Sequence, residues 1–471
     1  MAEKLPPNYD LDPIKSFLSE WIDPEDEAEE WSSDFFQGTA GRRKKAALVL
    51  MVIWLTVIGL HYVSWGYNIV AIVTAFIAIH IIRLLIVKSD PVEPALEDKH
   101  LDSAPTISLL VAAKNEEAVI ARSIEMLCNL DYPTDKYEVW AIDDHSSDRT
   151  PQILDRLALK YPQLQVVHRP GGAGGGKSGA LNQVLSQAKG EIIGVFDADA
   201  IVESNLLRKV APMFATERMG AVQVRKAIAN PEENFWTKGQ AAEMFLDSYI
   251  QQKRIAVDGI GELRGNGQFV RRSALRSCGG WNEETITDDL DLTIRLHLNN
   301  WKIGLLFNPA VSEEGVTSAI ALWHQRNRWA EGGYQRYLDY WRYIFRNPIG
   351  FGKRFDLLCF VLLQYILPAA NIADLMMVLL RHRLPVLAPL STLLMAYGSI
   401  NMFQGIVKVK RTNNLPINWF EIAIQTLRGM IYMLHWQVVM TSITVRMSIR
   451  PKRLKWVKTV HEGAGNESFE Y

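Results

Sequence analysis

The hydropathy pattern sets two pairs of apolar runs around a block of mixed polarity. Residues 46–63 are almost wholly apolar, and a second run, 69–87, follows a short turn at Trp65-Gly66-Tyr67-Asn68. Two further runs, 357–380 and 386–407, come late in the chain. About 20 apolar residues cross a hydrocarbon core as a helix, so four spanning helices are predicted. Residues 419–445 are also apolar but are interrupted by Glu421, Gln425, Arg428, His435 and Gln437. We read that stretch as interfacial or packed against the other helices, since a fifth crossing would strand a basic segment on the wrong side.

Between the two pairs, residues 100–350 alternate short apolar strands with helical stretches. Strands are predicted at 106–112, 137–142, 164–167 and 192–196, and helices at 116–127, 151–161 and 178–188. This alternation predicts an α/β unit with a parallel sheet covered on both faces. Ligands of such sheets bind beyond the carboxyl ends of the strands. The polar clusters Asn115-Glu116, Asp143-Asp144 and Asp197-Ala198-Asp199 fall at those ends.

Charge changes the picture by its placement, because the total is only −1. Residues 1–41 hold eleven acids against Lys4 and Lys15, and such a head has too little to bury to fold alone. The last part of the chain, 446–471, opens with six bases between Arg446 and Lys458, which suits an anionic membrane surface. A general basic surface for nucleic acid is absent. Arg42, Arg43, Lys44 and Lys45 precede the first apolar run, and Lys353 and Arg354 precede the third. Lys408, Lys410 and Arg411 follow the fourth. The positive-inside rule then puts both termini and the mixed block in the cytoplasm, against the weaker pull of Arg381 and Arg383 in the last turn. The implied order is an acidic head (1–41), a transmembrane hairpin (42–88), the α/β unit (100–350), a C-terminal membrane region (355–445) and a basic tail (446–471). Three scattered cysteines, Cys128, Cys278 and Cys359, argue against a disulfide framework and against a zinc site.

One motif points away from the others. Gly171-Gly172-Ala173-Gly174-Gly175-Gly176-Lys177-Ser178 fits the P-loop pattern between a strand and a helix. A P-loop domain usually opens with that motif, however, and has no use for a second carboxylate at Asp199. We therefore read the loop as a flexible glycine segment that carries Lys177 and Asn182 towards a donor.

Asp197 and Asp199, two residues apart at a strand end, suit Mg²⁺ or Mn²⁺ bound together with phosphate oxygens. Thr287-Asp288-Asp289 opens a helical pattern. Thr287 or Asp288 suits a helix cap, and one of the acids suits a general base that deprotonates an acceptor hydroxyl. Gln325-Arg326-Asn327-Arg328-Trp329 offers two guanidinia for a pyrophosphate and an apolar wall.

Taken in order, these motifs closely resemble the membrane-bound family-2 glycosyltransferases, over about residues 105–335. The family shows an Asp after the second strand, then DxD, T-[ED]-D and QxxRW. The one departure is Asp288, where the family usually has Glu, and it keeps the charge. The resemblance implies the Rossmann-like GT-A fold flanked by transmembrane helices, and a UDP-sugar donor. By their places at strand ends, in the glycine loop and in the Gln325–Trp329 helix, Asn115, Glu116, Lys177, Gln325, Arg326, Arg328 and Trp329 are expected to line the donor site, and the resemblance implies that Asp143 and Asp144 contact the base and ribose there and that Asp197 serves the donor. Asp197 and Asp199 would hold the Mg²⁺ or Mn²⁺, and Asp289 would be the base of an inverting transfer. The family includes polysaccharide synthases and enzymes that glycosylate one lipid. The segment order is most similar to the latter, with UDP-glucose as donor and 1,2-diacylglycerol as acceptor. A processive synthase and a non-catalytic scaffold remain as alternatives. Four helices make a thin polymer channel, and the full set of carboxylates speaks against a scaffold.

Overall fold

The computed structural model describes residues 42–88, 94–346 and 349–449. The acidic head and the basic tail past Ile449 lie outside the described residues. Two apolar helices come first, α1 (Arg42–Tyr62) and α2 (Gly66–Ile86). Three βα units follow: β1 (Ile107–Ala113) with α3 (Ile120–Cys128), β2 (Tyr137–Asp143) with α4 (Thr150–Lys160), and β3 (Leu164–His168) with α5 (Gly176–Leu185). Next come β4 (Ile192–Phe196), α6 (Leu206–Val210), β5 (Met219–Ile228), α7 (Phe235–Ala256), β6 (Gln268–Arg271), α8 (Arg272–Ser277), α9 (Asp288–Leu298) and β7 (Lys302–Glu313). The chain continues with α10 (Ala319–Arg346) and α11 (Phe351–Arg381), then α12 (Ala388–Thr412), α13 (Trp419–Met433) and α14 (His435–Ile449).

The strands form one sheet in the order β3-β2-β1-β4-β6-β5-β7. Its first four strands are parallel and in a register that sets Ala113 beside Asp143 and Val111 beside Phe196, so their carboxyl ends share one edge. The sheet as a whole is mixed rather than parallel, since β6 runs antiparallel to both β4 and β5. The cause is local: β6 begins beside the carboxyl end of β4, with Gln268 opposite Val195, so the chain can only run back along it. One face is filled by Leu109, Val111, Ile124, Leu154 and Phe196, the other by Leu110, Ile142, Leu181, Val195 and Leu292. Each such side chain, fully buried, contributes about 1.5–3 kcal/mol.

Among the described residues four helices, α1, α2, α11 and α12, are long and apolar enough to cross a membrane. Leu55, Phe76, Ile79 and Leu379 are each at least 60% exposed on them, an apolar surface that water would not tolerate at this extent. A π turn at Leu362–Ile366 interrupts α11 just before Pro368, whose ring lacks the N–H of a regular ladder. The doubtful stretch 419–445 splits at Leu434 into two helices with different settings. In α14, Val439, Met440 and Ile443 pack with Ala46 and Tyr334. In α13, Ile422 packs with Leu246 and Met402, while Phe420, Leu427 and Ile431 stay exposed in a helical stripe. Two bases read as facing the membrane surface, one before the first run and one opening the basic tail, are instead buried, Arg42 against Asp339 and Arg446 with Glu331 at 3.9 Å. Arg42 donates from Nε to Asp339 at 2.7 Å, and Arg446 donates to Asn327 Oδ1 at 3.2 Å.

The α7–α12 crossing depends on Gly405, where a Cβ would come within 2.7 Å of the Phe245 carbonyl oxygen. Backbone on the facing helix cannot step aside as a side chain can. Gly405→Ala should therefore destabilise the protein by about 1–3 kcal/mol, as overpacking does. Thermal unfolding of the purified protein in detergent checks this; an unchanged midpoint would mean that the crossing is not close-packed.

Candidate active site

The shared edge of β1, β2 and β4 delivers the first carboxylates. Asp143 ends β2, is buried, and accepts from Ser146 N and His168 Nδ1, each at 3.0 Å. Asp144 accepts from Arg169 at 2.5 Å, and Arg169 also donates to the carbonyls of Gly174 and Gly176. Asn115 adopts φ 55°, and its side chain accepts from Ser147 N at 2.7 Å, which joins the β1 and β2 loops. Glu116 is buried beside them, its backbone N–H donating to Thr150.

The glycine segment is pinned rather than flexible. Arg169 holds its carbonyls, and Gly175 (φ 79°) packs so close that a Cβ would lie 2.3 Å from Glu283 Oε2. Lys177 follows in the first turn of α5 and donates to Asp197 Oδ1 at 2.5 Å. Burial would lower its pKa, but the charges of Asp197, Asp288 and Asp289 outweigh burial and raise it. Asn182 does not reach the same place. It donates to the Trp281 carbonyl at 2.8 Å and accepts from Trp281 N at 2.9 Å, and so braces the turn that leads to Thr287.

Thr287 occupies the N-cap position of α9, yet its hydroxyl makes no capping bond, so the helix-cap reading of that side chain does not hold. Asp288 and Asp289 occupy the first turn, where the helix dipole favours negative charge. Asp289 is nevertheless pushed up to about 6, first by burial and then by the charge of Asp288. The Leu290 backbone N–H, Lys177 and Lys226 oppose that rise. Gly265 (φ 78°) lies against it, with a Cβ position 3.5 Å from Asp289 Oδ2. The next residue, Asn266, is fully buried and accepts from Asp197 N at 3.2 Å. One turn thus touches both the Asp197 strand end and the Asp289 carboxylate. Sequence reasoning missed it, although two glycines flanking an amide before a strand signal a tight turn.

The Gln325–Trp329 motif sits in α10. Arg326 is wholly buried and donates to Glu243 at 2.6 Å and to Tyr432 at 3.2 Å, while Gln325 accepts from it at 2.9 Å. Burial would raise the Glu243 carboxyl, but Arg326 and His435 hold it below the usual range. Arg326 is thus committed to Glu243 of α7, whereas Arg328 is only half-buried. Trp329 lies between two cations, Arg326 at 4.0 Å and Lys226 at 5.1 Å from its ring centroid. Lys226 pairs with Glu313 at 2.8 Å. Neither Lys226 nor Glu313 was legible as a site residue, since each lies in a strand that the apolar pattern did not mark.

Among the described residues no three His, Cys, Asp or Glu side chains converge as a metal cluster. Asp197 and Asp199 are both half-buried, Ala198 between them is buried, and Asp199 Oδ2 accepts from Glu314 N at 3.0 Å. A pair of carboxylates, one already holding an ammonium, fits a Mg²⁺-like ion that completes its shell with waters and substrate phosphates.

The profile described as "glycosyltransferase like family 2" matches residues 104–332. The chain is 56% identical over 465 residues to a beta-monoglucosyldiacylglycerol synthase of Synechocystis sp., covering 98% of this chain and 97% of that one. A protein of the same name from Trichormus variabilis is 56% identical over 461 residues, with 97% of each chain covered. Among solved structures, a mannosyltransferase of Pyrobaculum calidifontis in complex with GDP-Man and Mn²⁺ superposes with a TM-score of 0.51 at 21% identity. It covers 81% of this chain and 99% of its own. That likeness supports the fold alone.

If Asp289 must be ionised to act, turnover should rise with pH through about 6 and level off above it, because the active form is the one that has lost the proton. Asp289→Asn should lower the rate by about 10²–10⁴ and abolish that acid limb. Initial rates across pH for both proteins check this. A variant with near-normal turnover, or a wild-type rate that falls as pH rises through 6, would remove Asp289 from the role.

Proposed function

The chain belongs to the family-2 glycosyltransferases, and on that basis we propose that it transfers glucose from UDP-glucose to the free hydroxyl of 1,2-diacylglycerol, forming β-monoglucosyldiacylglycerol. The observation that carries this reading is the 56% identity to two proteins of that name, with nearly the whole of each chain covered. Motifs alone would admit any acceptor, whereas likeness that runs through all the apolar helices favours the same acceptor.

In this reading Asp143 and Asp144 face the base and ribose of the donor, at the edge where β1 and β2 end. Asn115 and Glu116 shape the adjoining loop. Asp197 and Asp199 would hold the Mg²⁺ or Mn²⁺, which would supply positive charge to the leaving diphosphate. Lys177, ionised and beside Asp197, adds a fixed charge to the same leaving group. Arg328 is the arginine of its motif that serves the diphosphate, while Gln325 and Arg326 set the helix and Trp329 walls the site. The Asp289 carboxylate takes the proton from the acceptor hydroxyl. That oxygen attacks the anomeric carbon from the face opposite UDP, the bond to the diphosphate oxygen breaks, and the configuration inverts. Its pKa near 6 suits a base that is ionised at neutral pH yet still basic enough to draw the proton.

A lipid acceptor asks the site to stay at the bilayer surface. Trp341, Tyr343, Phe345 and Phe351 are exposed where α10 meets α11, and Trp419 and Phe420 are exposed at the start of α13. Aromatic groups of this kind sit at headgroup level. Lys44, Lys408, Lys410 and Arg411 favour a cytoplasmic placement of the α/β unit and of both termini, and the basic tail favours contact with anionic lipids at about 1 kcal/mol per base.

Purified full-length enzyme, given radiolabelled UDP-glucose and detergent-dispersed diacylglycerol with Mg²⁺, should yield a chloroform-soluble lipid carrying one β-glucose. Excess EDTA should abolish it. A water-soluble polymer would instead establish a polysaccharide synthase, and full activity in EDTA would overturn the metal assignment.

A further inference from the structure

Glu243 of α7 is the centre of a buried hydrogen-bond cluster that joins α7, α10 and the two C-terminal helices. Its Oε2 accepts from Arg326 Nη2 at 2.6 Å and from the Tyr432 hydroxyl at 3.0 Å, and its Oε1 accepts from Trp436 Nε1 at 2.8 Å. The Tyr432 hydroxyl in turn accepts from Arg326 Nη2 at 3.2 Å. Tyr432 lies in the last turn of α13 and Trp436 in the first turn of α14, and the break between those helices lets both side chains turn to one carboxylate. His435, which follows the break, donates from Nδ1 to the Tyr432 carbonyl at 2.6 Å. The Tyr432 ring lies flush on the backbone of α7, where a Cβ on Gly239 would overlap it.

Both carboxylate oxygens and the hydroxyl are taken by groups of the fold, and Arg326 is wholly buried, so the cluster is built to fix Arg326 and not to hold a ligand. What Arg326 fixes is Trp329, three residues on in the same helix. The guanidinium lies 4.0 Å from the Trp329 ring centroid. A second cation, Lys226, stands 5.1 Å from that centroid and is held by Glu313 at 2.8 Å. Lys226 links the ring to the chemistry, because its charge acts on Asp289. Glu314, beside Glu313, donates from N to Asp199 Oδ2 at 3.0 Å. The half-buried Trp329 ring thus stands between the buried cluster and the carboxylates of the transfer reaction.

We propose that Glu243, Tyr432 and Trp436 are positioning residues for the transfer, which act through Arg326 to hold the Trp329 ring as a wall of the acceptor slot. Tyr432 and Trp436 lie well past residues 104–332, the span that matches the family. Helices α13 and α14 therefore complete a site that the family motifs alone leave with one wall unsupported. The geometry suits that task, since a charge-assisted bond between buried partners is short and directional, and Arg326 has three such anchors around one carboxylate. That the wall meets the acceptor rests on the glucosyl-transfer reading; that α13 and α14 hold the ring does not.

The test is a double-mutant cycle on the full-length enzyme in lipid nanodiscs, read as UDP released from UDP-glucose with diacylglycerol present. Tyr432→Phe and Trp436→Phe each delete one polar group and keep an aromatic ring to pack, so neither strands the buried Arg326 charge. Each should lower turnover about tenfold and leave the KM for UDP-glucose within about twofold, the signature of lost positioning without lost donor binding. Trp329→Leu removes the ring itself, so adding Tyr432→Phe to it should lower turnover no further. Wild-type turnover in both single variants would overturn the assignment. Losses that multiply in the Tyr432→Phe, Trp329→Leu double variant would also overturn it, because Tyr432 would then support the fold without acting through Trp329. Release of UDP is read whichever acceptor takes the sugar, so the cycle holds or fails independently of the identity of the product.

Discussion

Glu262 is wholly buried and is shared by three arginines: Arg264 and Arg336, each at 2.8 Å, and Arg254 at 3.3 Å. Arg254 reaches on to Asp356 of α11 at 2.9 Å, Asp356 meets His80 of α2 at 3.2 Å, and Arg264 pairs with Asp247 of α7 at 2.8 Å. Three carboxylates thus balance three guanidinia in a cluster that is buried at Glu262, Arg254, Arg336 and Asp356 and reaches solvent only at Arg264 and Asp247. Burial alone would raise the Glu262 carboxyl, yet the arginines hold it well below its ordinary range. Removing one member of such a cluster leaves uncompensated charge, at a cost of about 3–5 kcal/mol. The elements it binds are the helices of the membrane region and the segment that leads into β6, so the α/β unit cannot swing freely on its tethers.

That constraint reaches the chemistry within a few residues. Arg264 precedes the Gly265-Asn266-Gly267 turn, which packs against Asp289 and fixes the backbone of Asp197. The Asp289 carboxylate and the Asp197 strand end are therefore set relative to each other by a turn that is itself anchored among the membrane-side helices. A second tie runs from Arg326 to Glu243, and Tyr432 and Trp436 join it from α13 and α14 at 3.0 and 2.8 Å. An enzyme that brings a water-borne nucleotide sugar to a bilayer-borne hydroxyl needs both distances fixed, and charged clusters of defined geometry are suited to that. Positioning of this kind governs rate more steeply than affinity.

What could be read from the sequence was whatever depends on local pattern. The four apolar runs, the strands β1 to β4 and the motif positions follow from hydropathy and spacing alone. The strands β5, β6 and β7 escaped because their job is mixed: Gln223, Arg225 and Lys226 interrupt β5, and β6 is four residues long. The antiparallel course of β6 could not be seen for the same reason. Partnerships across the chain were equally hidden. Arg42 and Arg446 look like charges for the membrane surface until Asp339 and Asn327, 297 and 119 residues away in sequence, are brought beside them. Asn182 and Arg326 carried the right chemistry for a donor site, yet the fold uses one to brace a turn and the other to close a buried ion pair.

The coupling of the catalytic turn to the membrane-side helices is tested most directly by Glu262→Gln in the full-length enzyme. Hydrogen exchange by mass spectrometry over residues 263–271 would be measured beside steady-state kinetics. The account predicts faster exchange in that segment, unchanged exchange in β1, and a turnover number that falls while the KM for UDP-glucose barely moves. Wild-type exchange and wild-type turnover in the variant would contradict it, and would mean that the turn holds its place without the buried cluster.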